Sequence, residues 1–128
     1  MNTKGLTRTE PSGSETDILT HNVVNGIQEK KGHDITIIDL RKLNSAIADI
    51  FIICHGDSEN QVKAIAESVI DEVKKHLGES PMYQEGFTNS EWILIDYINV
   101  VVHVFKKEQR EYYGIEQFYA DADIKKIA

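Results

Sequence analysis

The stretch that decides the fold is Glu91 to Tyr113, EWILIDYINVVVHVFKKEQREYY, in which two apolar runs flank a short break. A turn at Ile98 and Asn99 predicts a β-hairpin. Because the side chains of a strand alternate between its two sides, this turn assigns each residue to one face of the pair. The first face is wholly apolar or aromatic and is predicted to pack into the core: Ile93, Ile95, Tyr97, Val100, Val102 and Val104.

The opposite face of the hairpin mixes aromatic, aliphatic and ionisable side chains. This mixture is typical of a partner surface rather than of a sealed core. We therefore predict that its members bind a partner: Trp92, Leu94, Asp96, Val101, His103 and Phe105. Trp92 and Phe105 are expected to supply the buried contact.

Three of these residues have a second interpretation. Trp92 could instead cap the core, as a tryptophan in a small domain often does. Asp96 either pairs with a partner Arg or Lys or satisfies the hairpin turn beside it. His103 has no second histidine at ligand spacing on its strand, so a hydrogen-bonded interface residue is favoured over a metal ligand.

Two adjacent tyrosines, Tyr112 and Tyr113, follow the hairpin on a predicted short helix that Gly114 ends. Neighbouring residues of a helix point in different directions. We therefore expect one ring in the core and the other exposed, and we include both as candidate partner-binding residues. Phe118 and Tyr119 are expected to anchor the last helical turn to the domain.

Composition limits the classes of protein that the chain can be. It has 128 residues and 41% hydrophobic residues, which suit a single globular domain. The 21 acidic and 14 basic residues give a net charge of −7, so general binding to nucleic acid is not expected and a basic protein partner is favoured. One cysteine excludes an internal disulfide. Since no apolar run would serve as a signal peptide or membrane span, we expect a cytoplasmic protein without a membrane partner.

The remaining pattern predicts helices and strands in alternation, which implies a mixed β-sheet with helices packed against it, an α/β fold. Residues 1–13 are polar and are predicted to be a disordered tail, followed by one domain over residues 14–128. Capping signals at Ser14 and Ser58 predict where two helices begin. The predicted elements are a helix over Ser14 to Lys31, strands over Asp34 to Leu40 and Ala48 to Cys54, a helix from Ser58 to Gly78, a short edge strand within Pro81 to Gly86, the hairpin, and helical turns over Glu108 to Tyr113 and Ile115 to Tyr119.

Several separate sequence blocks occur in a characteristic order and spacing. They are Ala48-Asp49 before an apolar strand, Gly56-x-Ser58, Gln61 to Ala66, Glu85-Gly86, Trp92 to Tyr97, Val100 to Phe105, and Glu108-x-Arg110-x-Tyr112-Tyr113. Together they resemble the ribosomal silencing factor family, RsfS, also called Iojap. The resemblance covers roughly Asp17 to Ala122.

The resemblance implies a nucleotidyltransferase-like fold without enzymatic activity. It also implies a protein that binds the large ribosomal subunit through ribosomal protein number fourteen, hinders joining of the small subunit and so represses translation. Homodimers are implied for the free protein. No cofactor or metal is expected.

Two departures from the family pattern lie at possible contact points. Many relatives have Gly-Asp after the Asp-Tyr pair, where this chain has Ile98-Asn99. Asn99 tolerates a positive φ, so the turn is expected to survive with a different geometry. Relatives also tend to have a basic residue where this chain has Asn60.

Two other functions compete with translational silencing. An inactive nucleotidyltransferase could still bind a nucleotide at Gly56 and Ser58. Catalysis itself is not expected, because Asp71 and Glu72 are adjacent in a predicted helix, whereas metal-dependent nucleotidyl transfer needs carboxylates alternating on a strand. The second alternative is a dimeric adaptor that uses the hairpin face for self-association and has no ribosomal role.

Overall fold

The computed structural model describes residues 11–43 and 47–127. Residues 1–10 of the predicted tail lie outside this part of the chain. The helices are α1 (Pro11–Glu29), α2 (Glu59–Leu77) and α3 (Lys107–Tyr113), followed by a 3-10 helix (Ile115–Tyr119). The strands are β1 (His33–Asp39), β2 (Ile50–Gly56), β3 (Tyr83–Glu85), β4 (Trp92–Asp96), β5 (Val100–Lys106) and β6 (Asp123–Lys126).

The six strands form one mixed sheet in the order β3-β4-β5-β2-β1-β6. The central pair, β2 and β5, is parallel, and the other pairs are antiparallel. The mixed α/β fold is confirmed. Strand β6 was not predicted, because Asp123 to Lys126 are all exposed and show no apolar alternation.

Helices α1 and α2 pack on one side of the sheet, which we call the inner face. The apolar side of the hairpin points towards them, as predicted: Ile93, Ile95, Val100, Val102 and Val104 are fully buried, and Tyr97 is 5% exposed. The two helices approach closely at Gly26, where a Cβ atom would lie 2.8 Å from the Cα atom of Val69. Only glycine leaves room for this contact.

Both ends of α2 follow the sequence signals. The Ser58 hydroxyl accepts a hydrogen bond from the Gln61 N–H at 3.2 Å, and Gly78 ends the helix with a left-handed φ of 70°. The predicted start of α1 at Ser14 is wrong, since the chain is already helical at Pro11, the first residue that the structure describes.

The hairpin turn falls where predicted but has an unexpected geometry. The residue with positive φ is Ile98, at 79°, and not Asn99. The Asn99 N–H donates to the Tyr97 carbonyl at 3.0 Å, which with this φ defines a classic γ-turn centred on Ile98.

Asn99 is engaged elsewhere, which leaves the left-handed conformation to its neighbour. Its carbonyl accepts from the backbone N–H groups of Asp49 and Ile50 at 2.9 and 3.1 Å. Its side-chain amide donates to the Thr16 hydroxyl at 2.9 Å, and that hydroxyl donates to Asp49 at 3.2 Å. Asn99 therefore ties the turn to α1 and to the start of β2.

Replacing Ile98 with glycine is expected to stabilise the protein. A left-handed conformation costs a residue with a Cβ atom about 1–2 kcal/mol, more than the entropy that glycine adds to the unfolded chain. Ile98 is 60% exposed, so little buried surface is lost. We expect Ile98→Gly to raise the free energy of unfolding by about 0.5–1 kcal/mol in urea denaturation.

Asn99→Gly is the matched control, because it adds the same flexibility one residue away and removes the bond to Thr16. It should lower the free energy of unfolding. Equal effects of the two variants would show that the strain does not lie at Ile98.

Candidate partner-binding surface

The side of the sheet opposite α1 and α2, the outer face, is only partly covered by the rest of the chain. Over β5, β2 and β1 it is covered by the C-terminal segment that follows α3. There a second hydrophobic cluster forms, with Ile115, Tyr119 and Ala122 packed on buried side chains of the sheet and its flanking loops: Ile38, Leu40, Ala48, Phe51, Ile53, Val101 and Phe105.

This covering corrects three of the predicted partner-binding residues. Phe105 is fully buried, His103 is 6% exposed and Val101 is 7% exposed, so none of them presents a surface to a partner in this structure. The reason is tertiary: the rings of Trp92 and Phe51 pack on His103, and the ring of Trp92 also stacks on Phe105. Tyr119 of the C-terminal segment packs on the same cluster, with its ring centroid 5.2 Å from that of Phe51.

Over β4 and β3 the outer face stays open. Trp92, Leu94 and Asp96 are partly exposed. Strand β3 pairs Tyr83 with Asp96 and Glu85 with Leu94, so the Tyr83 and Glu85 side chains lie on the same face and are exposed. Neither residue was predicted from the sequence, because a three-residue strand reveals its faces only once its register is known.

Aromatic contacts join this open area to α3. The Tyr113 ring lies 4.9 Å from that of Trp92, and the Tyr112 ring lies 5.1 Å from that of Tyr113. We call the combined area the open surface: Tyr83, Glu85, Trp92, Leu94, Asp96, Tyr112 and Tyr113.

Trp92 lies at the boundary between the buried and open parts of the outer face. Its ring stacks on Phe105 with centroids 4.8 Å apart, and its indole N–H donates to Nδ1 of His103 at 3.1 Å. One side of the ring therefore closes the core, as one interpretation proposed, and the rest remains partly exposed. Contact of Trp92 with a partner stays a prediction.

His103 is a buried neutral histidine. Because Nδ1 accepts from Trp92, the ring proton lies on Nε2, which has no hydrogen-bond partner among the described residues. Burial lowers the pKa of His103 to about 4. Its role here is to hold the Trp92 ring in one orientation.

Asp96 satisfies the hairpin turn, as one of its two interpretations proposed. Its Oδ1 accepts from the Ile98 N–H at 2.7 Å. Pairing of this carboxylate with a cationic partner stays a prediction.

The prediction that one of the two tyrosines is in the core is wrong. Tyr112 is 83% exposed and Tyr113 is 46% exposed. The side chain that anchors α3 is instead Arg110, which is 8% exposed. Phe118, also expected to be an anchor, is 79% exposed, and its neighbour Tyr119 makes the contact with the sheet.

The turn considered for nucleotide binding is filled by a side chain of the protein. Gln61 Oε1 accepts from the Asp57 N–H at 2.8 Å, and Gln61 Nε2 donates to the carbonyls of Lys30 and Lys31 at 3.2 Å. A Cβ atom at Gly56 would lie 3.2 Å from this side chain. The space in which a phosphate could approach the backbone is therefore occupied.

The charged groups of the open surface are both acidic, Glu85 and Asp96. The nearest basic side chain along the hairpin, Lys106, is paired with Glu59 at 3.0 Å at the start of α2. An aromatic surface with carboxylates beside it suits a basic partner. Within the described residues, no helix has the length and apolarity to cross a membrane.

The fold and this surface define the class as an α/β protein with an open aromatic surface that carries two carboxylates. The family model described as "Ribosomal silencing factor during starvation" matches residues 13–128. The chain therefore belongs to the ribosomal silencing factor family.

Similar proteins support the same family. The ribosomal silencing factor RsfS of Bacillus subtilis is 41% identical over 96 residues, which cover 75% of this chain and 80% of that protein. The chloroplastic protein Iojap of Zea mays is 33% identical over 94 residues, covering 73% of this chain and 40% of that protein.

Two solved structures share the fold. A crystal structure of a Chromobacterium violaceum protein has a TM-score of 0.76 at 35% identity and covers 81% of this chain and 85% of its own. One from Bacillus halodurans has a TM-score of 0.72 at 32% identity and covers 88% and 98%.

The ionisation of His103 should make stability depend on pH. The unfolded chain binds a proton near pH 6.5 and the folded chain only near pH 4, so the contribution of His103 to stability is complete above pH 6.5 and is lost as the pH falls to 4. The loss should reach up to about 3 kcal/mol.

The variant that isolates this effect is His103→Asn, whose carbonyl can still accept from Trp92 but does not ionise. The difference in the free energy of unfolding between wild type and variant should shrink steadily from pH 6.5 to pH 4 in urea titrations. A difference independent of pH would show that His103 titrates alike in the folded and unfolded chains.

Proposed function

We propose that this ribosomal silencing factor binds the large ribosomal subunit through ribosomal protein number fourteen and blocks joining of the small subunit, repressing translation. The observation that carries the proposal is the continuous aromatic area of Trp92, Tyr113 and Tyr112 on an otherwise charged domain. Such rings are the side chains that most often dominate the energy of a protein interface.

The mechanism we propose is steric exclusion. Trp92 is held in one orientation by Phe105 and His103, so little conformational freedom is lost when a partner covers it. The two tyrosines extend the same area outward. A domain held there occupies the space that the small subunit needs, and no substrate is converted.

Charge is proposed to speed the encounter. The chain carries a net charge of −7, and the open surface carries Glu85 and Asp96. Attraction to a basic ribosomal protein would raise the association rate, and added salt would lower it, since exposed charges are screened beyond roughly 10 Å at 0.1 M salt.

The test of this surface uses Tyr112→Ala. Because Tyr112 is 83% exposed, its loss should leave the domain folded and weaken binding to isolated large subunits by about 2 kcal/mol, roughly thirtyfold. The measurement is cosedimentation with large subunits, with circular dichroism to confirm the fold.

Two further variants complete the test. Trp92→Ala should weaken binding at least as much and also destabilise the domain, because it removes the stack on Phe105 and the bond to His103. Ile18→Ala should bind as wild type does. It removes a half-exposed apolar side chain from α1, on the side of the sheet opposite the open surface. Unchanged binding of both aromatic variants would exclude the open surface as the docking site.

Occlusion is tested separately from binding. Wild-type protein added to purified subunits should lower the yield of joined ribosomes in a sucrose gradient, and Tyr112→Ala should not. Binding without any effect on joining would favour an adaptor role. Absence from the large-subunit fraction altogether would contradict the ribosomal partner.

The free protein is proposed to form a homodimer that uses the same surface. If so, large subunits and self-association compete, and adding large subunits should release monomers from a dimer detected by sedimentation velocity. A dimer that persists in the complex would place self-association on another surface.

A further inference from the structure

Arg110 is the one buried residue of α3, the seven-residue helix that carries Tyr112 and Tyr113. The 3-10 helix that follows contains no buried residue. Two partly buried side chains of the 3-10 helix, Ile115 and Tyr119, pack on the second hydrophobic cluster. Helix α3 itself lacks the buried apolar anchor that usually fixes a surface helix. A single cation takes that place.

The guanidinium of Arg110 joins α3 to the 3-10 helix through Glu116. Nε donates to Oε1 at 3.3 Å and Nη2 donates to Oε2 at 2.7 Å, which makes a two-bond pair with one carboxylate. The Arg110 side chain is 9% exposed and that of Glu116 is 25% exposed. Most of this pair is thus removed from water.

The remaining N–H groups join the same side chain to the sheet. Nη1 donates to the carbonyl of His33 at 3.4 Å and to Nδ1 of His55 at 2.9 Å, and Nη2 donates to the Thr36 hydroxyl at 3.1 Å. All five N–H groups of the guanidinium therefore have acceptors, drawn from β1, β2 and the 3-10 helix.

His55 is part of this arrangement, although it lies one residue beyond the strand predicted over Ala48 to Cys54. It lies in β2 and is 6% exposed. Burial, and next the positive charge of Arg110, lower the pKa of His55, which keeps Nδ1 free to accept. The acceptors around Arg110 are thus arranged for a fork of fixed shape, which a lysine cannot reproduce.

We infer that Arg110 and Glu116 are positioning residues of the open surface. Their ion pair fixes α3 so that Tyr113 packs on Trp92 and Tyr112 projects beside it. Arg110 itself does not contact the partner. The inference rests on the proposed function only for its effect on binding; its effect on the geometry of the surface is independent of any partner.

The geometry is tested in the free protein through Trp92, the sole tryptophan of the chain. Because the Tyr113 ring lies 4.9 Å from Trp92, displacement of α3 uncovers the indole. Arg110→Lys and Glu116→Gln should increase quenching of its fluorescence by acrylamide and speed hydrogen exchange over residues 107–119, while the amides of β2 and α2 stay protected.

Binding to large subunits is then measured for the same variants. Both should bind at least about tenfold more weakly than wild type, although neither residue belongs to the open surface. Arg41→Lys is the matched control. Arg41 makes the same kind of two-bond pair with Asp39, at 3.1 and 2.7 Å, away from α3, so its replacement should change neither quenching nor binding.

The outcomes separate the two proposals. If both variants fold and show wild-type quenching and hydrogen exchange, the positioning role is wrong, whatever their affinity for large subunits. Weak binding by such variants would mean that Arg110 and Glu116 contact the partner directly. Increased quenching in variants of a protein that never binds large subunits would support the positioning role and refute the proposed function. If Arg110→Lys does not fold, Glu116→Gln decides, because it retains the buried arginine and removes only the charge of its partner.

Discussion

The parallel pair β2 and β5 at the centre of the sheet is the constraint on which the rest of the structure depends. Both strands are buried along almost their whole length, on both faces. A sheet of this kind is stable only if each face is covered. Helices α1 and α2 cover the inner face of both strands. The outer face has only α3 and the short segment after it to cover it.

That segment is sufficient for β1, β2 and β5 but not for the sheet beyond them. Ile115, Tyr119 and Ala122 close the second hydrophobic cluster over the middle of the sheet. Strands β4 and β3 extend past this cover, and their outer side chains stay partly or wholly exposed. The open surface is thus a consequence of incomplete covering, and Trp92 marks the line where the cover ends.

The small number of apolar side chains on the outer face also explains why polar side chains hold α3 and the following segment in place. An element with few apolar residues cannot be fixed by burial alone, and Arg110 supplies the fixed contacts instead. His103 does the same for Trp92 by accepting its N–H inside the cluster. Buried polar groups of this kind contribute less to stability than to a single, defined arrangement. A single arrangement of the aromatic rings favours binding, because rings that are already in place lose little conformational freedom when a partner covers them.

Local patterns in the sequence were enough for every helix and strand except β6 and for the inner face of the hairpin. The alternation in Glu91 to Tyr113 assigned every inner-face residue of the hairpin correctly, and Ser58 and Gly78 marked the ends of α2. These features depend on neighbours in the chain, so the chain itself encodes them. The family, too, followed from the sequence blocks.

What only the tertiary structure decided is which outer-face residues remain exposed. Alternation places Trp92, Val101, His103 and Phe105 on one face, but it cannot show that the last three are buried in a cluster closed by the C-terminal segment. It also cannot show that β3 brings Tyr83 and Glu85 beside Leu94, or that Arg110 and not a tyrosine anchors α3. Each of these depends on contacts between residues far apart in sequence. Periodicity determines the side of a strand on which a residue lies, whereas the path of the rest of the chain determines what covers that side.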